Sequence, residues 1–123
     1  MCINLFHRSG GIIVLSTSLR GAVVMKMTFI VCNSYKLDLV MTILNEHAID
    51  YYTSWENAKG KGHGTEPHLG VGSYSSTNAV TMIAFEDDAP LEALIRSITT
   101  TNQGIQRAAD HIRLFQMPLE RIV

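Results

Sequence analysis

The sequence predicts an α+β domain built on one antiparallel sheet, and three observations predict it. Four short runs rich in apolar, aromatic or β-branched residues read as strands: "MTFIVCN", "IDYYTSWEN", "NAVTMIAFE" and "HIRLFQMPL". Two intervening segments repeat apolar residues at helical spacing. Their order is strand, helix, strand, strand, helix, strand. That is the split βαβ order of a ferredoxin-like fold, βαββαβ, with two helices on one face of a four-stranded antiparallel sheet.

Met27–Asn33 is a short apolar, partly β-branched run, so it reads as a buried strand. Ser34 offers an N-cap oxygen to the segment "YKLDLVMTILNEHA", where Leu37, Val40, Met41, Leu44 and Ala48 form one apolar stripe. Ile49–Asn57 is the second strand and Asn78–Glu86 the third. The second helix starts strongly: Asp87 or Asp88 can cap it, and Pro90 suits its first turn. Leu91, Leu94, Ile95 and Ile98 make its buried stripe. The last strand sets Ile112, Leu114 and Gln116 against Arg113, Phe115 and Met117, and Pro118 ends its core or places it at an edge. Met41, Met82 and Met117 read as core filler, Cys32 as a buried thiol, and Trp55 as packed where the second strand leaves the sheet. The sheet face away from the helices is apolar too, and nothing in the chain remains to cover it. A partner subunit is its natural cover.

Composition bounds the function. The chain has 123 residues, 46% of them hydrophobic and 17% charged, enough for one globular domain. A net charge of −1 supplies no basic field for nucleic acid. No apolar run approaches the roughly 20 residues of a bilayer span. Cys2 and Cys32 show no metal or redox spacing, as expected of reduced thiols in a cytoplasmic protein. There is no G-x-S-x-G, Walker loop, H-E-x-x-H or cysteine–histidine pair, so the reading is non-enzymatic. Residues 1–24 carry one weak apolar patch, "IIVL", and no period. They are expected to be a poorly ordered extension or a translation start assigned too early, leaving 25–123 as a single domain.

The feature that asks for a function is the connection between the second and third strands, "ENAKGKGHGTEPHLGVGSYSSTN", Glu56–Asn78. A hairpin needs two to five residues. A loop this long in a compact domain is usually functional or disordered. It holds five glycines, two lysines and two histidines.

Several motifs, in order, resemble the P-II nitrogen regulatory proteins and their P-II-like relatives. "YKLDLVMTIL" resembles the family's first-helix entry. Lys59-Gly60-Lys61-Gly62 resembles the "KGFG" element at the base of its long T-loop. "HGTEPHLG" and "GSY" echo the loop body, "FEDD" resembles "VPDD", and "IRLFQMPLE" resembles the last strand. The resemblance covers about residues 26–123. It implies a homotrimer that binds an adenine nucleotide in clefts between subunits. It also implies a T-loop that docks on a membrane transporter or enzyme in a signalling role. By position, Lys59, Gly60, Lys61 and Gly62 would form the loop base near a phosphate, and Arg113 falls on a basic position of the family's B-loop. The B-loop itself departs from the family: "NQGIQRAADHIR" contains only Gly104, Asp110 would repel phosphate, and Arg121 alone stands for further C-terminal arginines. A different or weaker ligand fits this better. Tyr74 lies near where the family carries a modifiable tyrosine.

A rival reading comes from the residues themselves. His63, Glu66 and His68, in "HGTEPH", are transition-metal ligand types, and a trimer would bring three such loops together. A third reading is a structural oligomer whose loop only docks a partner.

Overall fold

The computed structural model of the chain describes residues 24–64, 66–72 and 76–123. The expectations for residues 1–23 and for Tyr74 lie outside the described residues. The elements are β1 (Met25–Asn33), α1 (Leu37–Glu46), β2 (Thr53–Ala58), β3 (Asn78–Phe85), α2 (Asp88–Gln103) and β4 (Arg113–Leu119), with short 3₁₀ turns at Ser34–Lys36 and Ala108–Asp110. They form one four-stranded sheet in the order β2-β3-β1-β4, and every neighbouring pair is antiparallel. This is the expected ferredoxin-like topology.

Register decides what each face holds, because residues directly opposite across an antiparallel pair share a face. Ile30 pairs with Thr81 and Leu114, and Cys32 with Ala79. This face is covered by the helices. Ile30, Cys32, Ala79, Ile83, Phe85 and Ile112 pack with Val40, Ile43 and Leu44 of α1 and with Leu91, Leu94 and Ile98 of α2. Burial of apolar side chains between sheet and helices is the main favourable term holding the fold. Thr28, fully buried in this layer, donates its hydroxyl to the Ile83 carbonyl at 3.2 Å, which satisfies it.

The opposite face carries Met27, Phe29 and Val31 of β1, Val80 and Met82 of β3, Phe115 and Met117 of β4, and Trp55 of β2. None of the described residues covers it. Phe115 is 53% exposed, Trp55 44% and Met117 41%. Met117 therefore differs from the expected core packing, because it sits on the open side of an edge strand, and Trp55 lies on the same side where the β2–β3 register breaks and β2 leaves the sheet. Met41 and Met82 are partly buried. Pro118 lies within β4 opposite Lys26, tolerated because β4 is an edge strand.

Helix ends depart from the sequence reading in instructive ways. Ser34 does not cap. Its hydroxyl bonds Thr77 Oγ1 at 3.0 Å, while Asn33 Oδ1 accepts from the Tyr35 backbone N–H. Asp87 takes the N-cap position of α2 without a capping bond, and Asp88 instead pairs with Lys26 at 3.1 Å. Ala48 lies off the α1 stripe and is exposed. It adopts a left-handed conformation at φ 56° just past the helix. The Ala48 N–H bonds the Asn45 carbonyl at 3.1 Å, and the Ile49 N–H bonds the Leu44 carbonyl at 2.9 Å. These are the two bonds of a Schellman cap, and buried Ile49 and Leu44 supply its apolar contact.

A left-handed alanine costs roughly 1–2 kcal/mol. Ala48→Gly removes that strain and returns about 0.4–1 kcal/mol of unfolded-chain entropy. The variant is expected to be more stable by about 0.5–1 kcal/mol, read as a higher urea midpoint at unchanged slope. A lower midpoint contradicts the cap.

Candidate functional site

The loop after β2 leaves the sheet through an irregularity. The β2–β3 register shifts between Trp55 and Ala58, and Asn57 sits at φ 65°. Asparagine tolerates this conformation better than most residues. The chain then returns to itself: Gly60 and His68 form an isolated antiparallel bridge, with the Gly60 N–H on the His68 carbonyl at 2.8 Å and the reverse bond at 2.7 Å. The bridge closes a tip of residues 61–67. Beyond it, the Gly70 N–H bonds the Ser76 carbonyl at 3.0 Å.

His68 fastens the bridge to the sheet. It is buried, 8% exposed. Its Nδ1–H donates to Asn78 Oδ1 at 2.7 Å, and its Nε2 faces Asn33 Nδ2 at 3.5 Å. Asn33 and Asn78 are directly opposed in β1 and β3, so the ring spans the end of the two central strands. Asn33 Oδ1 is taken by the Tyr35 N–H, which turns its amide nitrogen toward the imidazole. In this chain Nδ1 is the donor to Asn78 and Nε2 faces the Asn33 amide as acceptor. Gly60 is required beside this network. A Cβ there would lie 2.6 Å from Asn78 Nδ2, the side chain that His68 holds in place.

Beneath the bridge lies a cavity of about 470 Å³. Gly60, Lys61 and Gly62 line it from the loop, Ala108, Ala109 and His111 from the connection before β4, and Val31, Arg113 and Phe115 from the sheet. Of the residues singled out in the sequence, Gly60, Lys61, Gly62, His63, Glu66, His68 and Arg113 all reach it, while Lys59 does not. Lys61 and Arg113 are its cations. Val31, Asn33, Asn78, Arg113 and Phe115 share the open sheet face, so the cavity is the end of that face with the loop folded over it.

The connection before β4 carries an ion network absent from the sequence reading. Arg107 pairs with Glu66 of the loop tip and, at 3.6 Å, with Asp110. The Tyr35 hydroxyl donates to Asp110 Oδ1 at 2.9 Å, and this bond, with burial second, raises the phenol above its ordinary range. Asp110, expected to repel phosphate, does not line the cavity, and its charge is met by Arg107. The His111 Nε2–H donates to the Ile105 carbonyl at 2.8 Å, shaping the same connection. Burial pushes the Cys32 thiol up to about 11, only partly offset by Lys36, so it is not a thiolate at neutral pH.

Among the described residues, no three His, Cys, Asp or Glu side chains come together as a metal ion needs. His68 spends its ring on Asn78 and Asn33, and Glu66 is paired with Arg107. Also among the described residues, no helix is long and apolar enough to cross a membrane.

No protein-family model matches the chain, and no curated protein matches it in sequence. Solved structures do. The chain is similar to CPII of Thiomonas intermedia K12 bound to ADP, AMP and acetate, at 14% identity, with 80% of this chain and 90% of that one covered and a TM-score of 0.57. It is similar to CPII of the same organism bound to ADP and bicarbonate, at 14% identity, 81% and 95% coverage and a TM-score of 0.58. A third structure, described as a nitrogen regulatory PII-like protein bound to ADP, AMP and bicarbonate, matches at 17% identity, 81% and 94% coverage and a TM-score of 0.56. At such identities the likeness establishes a shared fold: the chain has the ferredoxin-like fold of these PII-like proteins.

Gly60→Ala is expected to push Asn78 off His68 and leave buried polar groups without partners, costing about 1–3 kcal/mol in urea denaturation. Wild-type stability in that variant would mean that the His68 network does not fasten the loop.

Proposed function

We propose that this chain is a divergent, non-enzymatic PII-like regulator. It binds an adenine nucleotide in the cavity beneath the Gly60–His68 bridge and signals through the loop 56–78 to a protein partner. The observation that carries the reading is the meeting of Gly60, Lys61 and Gly62 with Arg113 at one end of an uncovered apolar sheet face. Glycines let backbone N–H groups approach an anion closely, and the two cations supply charge-assisted bonds to phosphate. The PII-like neighbours of the same fold are described with ADP and AMP bound. In this reading Gly60 and Gly62 shape the site, Lys61 and Arg113 hold phosphate, and Lys59 contributes only long-range charge.

The open face supports a homotrimer. A second copy laid on Phe29, Met82 and Met117 would bury apolar surface and wall off the cavity that each chain leaves open at its edge. The nucleotide site is then an intersubunit cleft. The outward residues of the loop, including Val71 at 59% exposure, are left for a partner such as a membrane transporter or an enzyme. The ligand can bias the loop only by its differential affinity for two loop states. A tenfold bias needs about 1.4 kcal/mol, within reach of one charge-assisted bond. The proposed setting is cytoplasmic, in nitrogen-linked signalling.

Isothermal titration with ATP, ADP, AMP and cyclic AMP tests the site. At least one is expected to bind at micromolar affinity, and Lys61→Ala or Arg113→Ala is expected to weaken it about tenfold or more. Silence from all four would remove the nucleotide reading.

The assembly has its own test. Met117→Asp puts a charge on the open face without touching the cavity lining. Light scattering at micromolar concentration is expected to give a trimer for the wild type and a monomer for the variant. A monomeric wild type would sink the trimer.

A further inference from the structure

One ion pair ties the loop tip to Arg107, next to the cavity-lining Ala108 and Ala109 of the connection before β4, and that pair uses the charge type a ligand would bring. Glu66 lines the cavity from the loop, and its Oε1 accepts from Arg107 on the connection before β4, 41 residues away. Among the described residues this is the ion pair that joins the loop to that connection. Its members are 62% and 67% exposed, so it is weak and exchangeable. Arg107 does not depend on Glu66 for its placement, because Asp110, itself tied to the Tyr35 hydroxyl, holds it from the other side. Behind the tip, the Gly60–His68 bridge has its own fastening, two backbone bonds and the His68–Asn78 bond, none of which involves Glu66 or Arg107.

We infer that the Glu66–Arg107 pair is a displaceable clasp, in which the Glu66 carboxylate occupies Arg107 until a ligand phosphate takes its place and frees the tip 61–67. The inference rests on the anion-binding reading of this cavity and names its regulation. Binding then exchanges one carboxylate–guanidinium contact for a phosphate–guanidinium contact. That contact brings a second negative charge to the guanidinium. The freed carboxylate and tip turn to solvent. The loop state a partner meets is therefore set by which anion holds Arg107. A ligand too short to reach Arg107 would bind Lys61 and Arg113 and leave the clasp shut.

A double-mutant cycle separates this from a general charge effect. ADP affinity is measured by titration on the wild type, Glu66→Gln, Arg107→Gln and the double variant, all as assembled protein. The clasp predicts that Glu66→Gln tightens ADP binding about two- to fivefold, the range of an exposed ion pair, and that the gain vanishes in the Arg107→Gln background. It also predicts faster hydrogen exchange of the tip amides Lys61, Gly62, His63, Gly64 and Glu66 in Glu66→Gln without ligand. The same gain in both backgrounds would mean that Glu66 acts only as a nearby negative charge, and would overturn the clasp. So would unchanged exchange at the tip. If ADP binds none of the four proteins, the nucleotide reading falls. Inorganic pyrophosphate on the same four then decides the clasp, which stands on an Arg107-dependent gain and falls without one.

Discussion

One buried imidazole holds this molecule's working part in place. His68 belongs to a loop that has no periodic structure of its own, yet its ring is inserted at the end of the two central strands. A long polar loop pays conformational entropy for every residue it orders. It has few apolar contacts with which to offset that cost. The hydrogen bonds to Asn78 and Asn33, and the two backbone bonds of the Gly60 bridge, concentrate the available stabilisation at a single point. Everything proposed for the cavity follows from that point. It sets where Lys61 stands relative to Arg113 and gives the tip a fixed root.

Much of the fold was legible in the sequence because it follows from short-range rules. Alternation of Ala79, Thr81, Ile83 and Phe85 inward places β3, and the spacing of Leu91, Leu94 and Ile98 places α2. Half of the candidate site was legible too, as a glycine–lysine cluster at a loop base. What escaped depends on pairing across the sheet. Asn33 and Asn78 read singly as a turn residue and a strand start. Only the β1–β3 register sets them opposite each other and makes room for an imidazole between them. His68 was weighed as a metal ligand for want of that register. Arg107 escaped for the same reason: it lies in a segment with no periodic signal, and its partner is in the loop. Ala48 hid in a helical stripe because left-handed positions usually announce themselves with glycine.

The cavity and the open sheet face are two ends of one surface. Phe115 belongs to both, and Val31 runs from one into the other. A subunit that covers the face would therefore also finish the site, so ligand binding and assembly would be thermodynamically linked. A ligand bound across the junction would favour the assembled state, and loss of assembly would strip the site of a wall. The low net charge of the chain suits such an arrangement. Attraction for an anion then comes from a few local groups, and like-charge repulsion between copies stays small.

The position of the bridge divides the loop into two regions under different rules. The tip is bounded by Gly60 and His68, and its Lys61, Gly62, His63 and Glu66 line the cavity. Gly70 and Ser76, joined by one backbone bond, lie beyond the fastening. Lengthening a loop is cheap, about 0.6 kcal/mol for each doubling. An insertion between them would leave the registration of Lys61 untouched. In the signalling role proposed above, that stretch would be an exchangeable address label, free to drift toward new recipients while the receiver beneath it stays the same.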